Sequence, residues 1–89
     1  AAQAITDGIA RIEAAQQHAP GNALLQYLAG MVYMQCQLWG KAHKLLTQAT
    51  LSLQNPELRR ATWRALALLA QQRGDTQAEH DAWKQAAQT

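Results

Sequence analysis

Residues 22–55, NALLQYLAGMVYMQCQLWGKAHKLLTQATLSLQN, decide the fold. Leu25, Leu28, Ala29, Val32 and Cys36 recur at three- and four-residue steps, and Ala42, Leu45, Leu46, Ala49 and Leu53 do so again. That is the period of a helix face turned toward a core. Asn22 stands where a side-chain oxygen caps the first N–H groups of a helix. A short turn near Gln37-Leu38 separates the two runs. The stretch therefore predicts helices over Ala23–Gln35 and Trp39–Leu53.

Working outward, Asn55-Pro56-Glu57 combines a cap, a proline at the first helical position and an acid in the first turn, which starts a helix. That helix is predicted over Pro56–Arg73, with Leu58, Thr62, Leu66, Leu69 and Ala70 inward. Gly74-Asp75 ends it and caps another over Thr76–Ala87, whose one large apolar anchor is Trp83. Upstream, Ile5, Ile9 and Ile12 share one face of a helix over Gln3–His18, which stops at Ala19-Pro20-Gly21-Asn22, where proline cannot continue it. No segment alternates as a strand does. The reading is all-α, with about five helices.

The chain also repeats itself. Gly8, Ile12 and Ala15 recur as Ala42, Leu46 and Ala49, and these as Glu79, Trp83 and Ala86. The offsets are 34 and 37 residues, and Gln26 and Gly30 map onto Trp63 and Ala67 at the same 37. A period in this range marks stacked units, each unable to bury its apolar face alone. The register divides the chain into residues 1–21, the second helix of a truncated repeat; 22–55, a full repeat; and 56–89, a full, slightly irregular one. The three extra residues are expected to lengthen the turn at Leu53 to Pro56. Glu79 stands where the repeat wants a small residue, which predicts a local shift in the last helix. The chain begins mid-unit and without methionine, and so reads as an excised piece of a longer protein.

Composition bounds the function. At 89 residues the chain is one domain at most. A net charge of +2 with only Arg59, Arg60 and Arg64 in a tight basic group makes no phosphate-tracking stripe, so nucleic acid is not an expected partner. No run of 18 apolar residues occurs, hence no membrane span, and Ala1 to Ala4 lack the marks of a signal peptide. One cysteine, Cys36, rules out an internal disulfide and fits a reducing compartment.

Paired helices repeating at this period resemble tetratricopeptide repeats. The residues that carry the likeness are Gly30, Tyr33, Ala42 and Ala49 in the first full unit, and Trp63, Leu66, Ala67, Gly74-Asp75 and Ala86 in the second. Small side chains there let the two helices of a pair approach closely. A narrower resemblance lies in Leu28-Ala29-Gly30, Gln37-Leu38-Trp39-Gly40-Lys41-Ala42 and Trp63-Arg64-Ala65-Leu66-Ala67. These are similar to the C-terminal repeats of HemY-type proteobacterial proteins. That likeness implies the tail of a bacterial inner-membrane protein associated with haem (protoporphyrin) biosynthesis, on the cytoplasmic side. A GxGxxG loop and a preceding strand are both missing from the sequence, which excludes the unrelated flavin-dependent oxidase of the same name.

Chemistry is thinly represented. His18, His43 and His80 fall in different helices without a partner at i+3 or i+4, so no two-ligand metal face forms. Cys36 has no CxxC partner and reads as a small buried hydrophobe. No nucleophile has a base at plausible spacing. The expectation is a non-enzyme with no cofactor. What remains is a groove lined by the first helix of each pair: Leu24, Tyr27, Met31, Met34 and Gln35, then Ala61, Arg64, Leu68, Gln71 and Gln72. Adaptable methionines, an amphipathic tyrosine and a fork-shaped arginine suit another protein or a peptide segment. Two alternatives stay open: a haem or porphyrin carrier using the same groove, and self-assembly through exposed helix faces.

Overall fold

A computed structural model describes residues 2–89, with side chains from residue 6 onward. Five helices follow one another: α1 (Ala2–His18), α2 (Ala23–Gln35), α3 (Trp39–Ser52), α4 (Pro56–Arg73) and α5 (Thr76–Gln88). The fold is all-α, and every boundary falls within one residue of the sequence expectation. The caps explain why. The Asn22 side chain accepts from Leu25 N at 3.0 Å, that of Asn55 from Glu57 N and Leu58 N, and that of Asp75 from Ala78 N. Each satisfies N–H groups that a helix start leaves without a partner.

The substantial helix contacts run between sequence neighbours: α2 with α3 and α4 with α5 most extensively, then α3 with α4 and α1 with α2. The molecule measures 36 × 27 × 18 Å with a radius of gyration of 13.0 Å, against roughly 12 Å for a globule of this length. Stacking stretches it. Inside each tight pair the core is built from small residues: Ala29, Ala42 and Ala49 in one, Ala65, Ala67, Ala70, Ala82 and Ala86 in the other, all nearly inaccessible. They surround Leu45, Leu46, Leu66 and Leu69. Alanine brings helix axes close, so backbone shape carries much of the fit.

Gly30 shows how close. A Cβ built there would lie 2.7 Å from Cγ and Cδ2 of Leu46, which is wholly buried. In the second pair the repeat-equivalent positions hold Ala67 and Trp83. Ala67 is buried and Trp83 is 40% exposed, so the added methyl coincides with a large side chain turned outward. The expected anchor of α5 is therefore not one. Its buried face is Ala82 and Ala86, while Trp83 Nε1 donates to the half-buried Glu79 at 3.1 Å. A glutamate at the small position cannot enter the core charged and unpaired. It stays at the rim with Trp83 over it. Leu28, read as inward, is 40% exposed; Leu58 and Cys36 are half-buried. Ile5 falls outside the described side chains.

The extra residues of the second unit are not in the turn. Residues 53–55 join α3 to α4, fewer than the four (19–22) that join α1 to α2. In the register that places Trp63 on Gln26, α4 instead begins one helical turn early, at Pro56. That turn has a task. The Arg59 guanidinium donates to the carbonyls of Thr50 and Leu53 at 2.6 and 3.0 Å, closing the C-terminal end of α3. Arg59→Met keeps the aliphatic stem and removes both hydrogen bonds. It is expected to lower stability by about 1–2 kcal/mol, read as an earlier midpoint in urea with an unchanged slope. A midpoint equal to the parent's would show the clamp to be idle.

Candidate functional site

The αL conformation is where the first candidate site begins. Gln37 adopts φ +60°, a region that side chains other than glycine rarely enter. It follows α2 in a Schellman arrangement: Leu38 N donates to Tyr33 O and Gln37 N to Met34 O. The next unit repeats the turn with Gly74 at φ +72°, Asp75 N donating to Ala70 O. Position 37 maps onto 74 at the repeat offset, so the strained glutamine occupies a glycine's place. Gln37→Gly is expected to stabilise the chain by about 0.5–1 kcal/mol. A thermal melt checks this: the midpoint rises by about 4 °C, whereas a fall would mean that the Gln37 side chain contributes more than its backbone costs.

Strain of this kind gathers at sites where a side chain must point a particular way. Gln37 lies on the rim of a cavity of about 280 Å³ with Met34, Gln35 and Trp39 on one side and Leu68, Gln71 and Gln72 of α4 on the other. Five of the ten groove residues read from the sequence, Met34, Gln35, Leu68, Gln71 and Gln72, thus meet around one opening. Gln37 and Trp39 join them; the repeat register held the signal for Gln37, since its partner is Gly74. The cavity offers a methionine, a leucine and a tryptophan for apolar contact. Its four amide side chains both donate and accept hydrogen bonds. It carries no charge.

The remaining groove residues lie elsewhere. Leu24 is 48% exposed; Tyr27 and Met31 pack partly buried against the core cluster. Arg64 lines a separate hollow with Arg60, Trp83, Ala86 and Ala87, where Arg60 also donates to Thr89 O at 2.9 Å. Ala61 is half-buried.

Two further grooves lie between alternate helices. One runs between α1 and α3 over Gln26 and Tyr33 of α2, the other between α3 and α5 over Trp63 and Leu66 of α4. They are one slot repeated, since Gln26 and Trp63 are register partners. Both residues hold a buried polar atom with no hydrogen-bond partner among the described residues, Oε1 of Gln26 and Nε1 of Trp63. Such atoms cost roughly 1–3 kcal/mol each when left unpaired.

The titrating groups here are shifted by burial. Burial, a hydrogen bond with Glu13 and that carboxylate's charge push Tyr33 up to about 12. The folded chain thus holds this proton more tightly than the unfolded one, and its share of stability is full below pH 10 and lost between pH 10 and 12. An absorbance titration should show the Tyr33 phenol ionising near pH 12; its ionisation near pH 10 would contradict the burial. His43 is lowered, first by burial and then by the charge of Arg73, and lines the α3–α5 slot. Among the described residues no three His, Cys, Asp or Glu side chains cluster as a metal site, and no helix is long and apolar enough to cross a membrane.

No protein-family model, curated protein or solved structure matches the chain.

Proposed function

We propose that the chain is a non-catalytic protein–protein interaction module of the tetratricopeptide type, and that its parent is a HemY-type, membrane-anchored protein associated with haem biosynthesis on the cytoplasmic side of a bacterial inner membrane. The observation that carries the interaction reading is the cavity in which Met34, Gln35, Leu68 and Gln71 converge from successive helix pairs. An apolar floor ringed by uncharged amides suits a peptide segment: a hydrophobic anchor enters, and the glutamines take up backbone N–H and C=O groups. The parent and its placement rest on the likeness of the runs at residues 28–30, 37–42 and 63–67.

The test is a pull-down with the wild-type chain against Met34→Glu plus Leu68→Glu, with circular dichroism to confirm that both remain helical. A partner held by the wild type alone supports the reading; retention of every partner by the double variant sinks it. Titration with haem is expected to leave the Soret band of free haem unchanged. A saturable shift that disappears on changing His43 or Tyr27 would replace the scaffold with a carrier.

A further inference from the structure

The α1–α3 groove, about 600 Å³, lies within the roughly 300–1,000 Å³ range of ligand sites and shares no lining residue with the α2–α4 cavity. Gln16 forms one wall, Lys41, Lys44 and Gln48 the other, and Gln26 and Tyr33 the floor. Gln26 is 6% exposed, and its Nε2 donates to Pro20 O at 2.7 Å. That bond fixes which end of the amide is oxygen. The partnerless Oε1 has almost no accessible surface in the free chain and is purely an acceptor, so a ligand that pairs it must part the groove slightly and bring an N–H or O–H.

Lys41 and Lys44 are three apart on α3 and therefore share a side. Neither makes an ion pair among the described residues; Lys41 Nζ sits 5.5 Å from the centre of the Tyr33 ring. The Glu13 carboxylate of α1 is taken up by its hydrogen bond with Tyr33, so the two lysines leave the groove net positive, and it asks for an anion that also carries donors. Inorganic phosphate satisfies the lysines and carries a P–OH donor, but it is too small to engage Gln26, both lysines and the amides of Gln16 and Gln48 together across a groove of about 600 Å³. A nucleotide base brings donors but binds by stacking, and the Tyr33 ring, 8% exposed, already lies beneath Lys41. A peptide backbone supplies N–H groups, aspartate or glutamate supplies the charge, and Gln16 and Gln48 can pair with either backbone group. We propose that the α1–α3 groove binds an acidic peptide segment, its backbone N–H on Gln26 and its carboxylates on Lys41 and Lys44. The equivalent slot over Trp63 mixes Arg73 and His43 with Asp81, so the preference for acid belongs to the first slot.

The experiment uses the ¹⁵N-labelled 89-residue chain and a hexapeptide of alternating glutamate and alanine, blocked at both ends. Saturable shifts of the Gln26, Lys41 and Lys44 amide signals are expected, weakening as salt rises. Lys41→Gln plus Lys44→Gln should weaken binding about five- to tenfold, and Arg73→Gln should leave it unchanged. Gln26→Met removes the acceptor and should cost about fivefold. Should that variant melt early, N-methylating the peptide backbone removes the same hydrogen bond from the ligand side, with the same loss expected. Equal binding of the glutamine version of the peptide would overturn the proposal. So would phosphate or oligoadenylate moving the same signals at lower concentration, or no saturation by about 1 mM peptide. Leu68→Glu should not affect the binding, which separates this site from the α2–α4 cavity.

Discussion

Gly30→Val is expected to lower stability by about 3 kcal/mol, a large share of what a small domain has. The added Cβ would meet Leu46 Cγ and Cδ2 at 2.7 Å and Leu46 N at 3.4 Å. Leu46 has no exposed surface into which to retreat. Gly30→Ala meets the same wall but recovers about 1 kcal/mol of helix propensity, so its net cost should be near 1 kcal/mol. The sharper measurement is a double-mutant cycle. Leu46→Ala alone is expected to cost about 2–5 kcal/mol. In that background Gly30→Ala should become neutral or stabilising, a coupling of at least about 1 kcal/mol. Strict additivity in urea denaturation would mean that α2 and α3 stand further apart than the contact implies.

Leu69→Ala should cost about 3 kcal/mol, and Leu51→Ala less than about 0.5 kcal/mol. Both are leucines on helices, and both are apolar in any sequence count. Leu69 is 1% exposed and Leu51 83%. Truncating Leu69 leaves a cavity beside Trp39, Gly40 and His43 of α3, with which it lines a small hollow. The melting temperature should fall by more than about 10 °C for the first and barely move for the second. Equal, small shifts for both would show that the second pair tolerates loose packing and that its buried list does not measure its stability.

The five helices could be read before the structure because each carries its own signals: Asn22, Asn55 and Asp75 at the starts, Pro20 and Gly74 at the stops. The inward face of α3 was legible too, since Ala42, Leu45, Leu46, Ala49 and Leu53 are all buried as their spacing predicts. Trp83 was not legible. Size alone nominates it as an anchor, yet α5 buries Ala82 and Ala86 and leaves the indole 40% exposed. The extra residues were misplaced for a related reason. Offset arithmetic locates an insertion only between matched positions, and cannot tell a longer loop from a helix that starts early under the pull of Arg59. Of the groove, the share lined by Met34, Gln35, Leu68 and Gln71 follows from repeat register. The departure of Arg64 toward Trp83 depends on side-chain directions that spacing does not hold. The orphan atoms of Gln26 and Trp63 could be found only by following each hydrogen bond in three dimensions.

Contacts that run from each helix to the next have a kinetic meaning. Closing α2 on α3 requires only the short turn at residues 36–38 to fold back, and closing α4 on α5 only Gly74-Asp75. Neither pair waits for a distant stretch of chain to arrive, and brief closures of this kind favour rapid folding. The chain can therefore form its two hairpins independently, with the Arg59 clamp on the end of α3 as the step that locks one against the other.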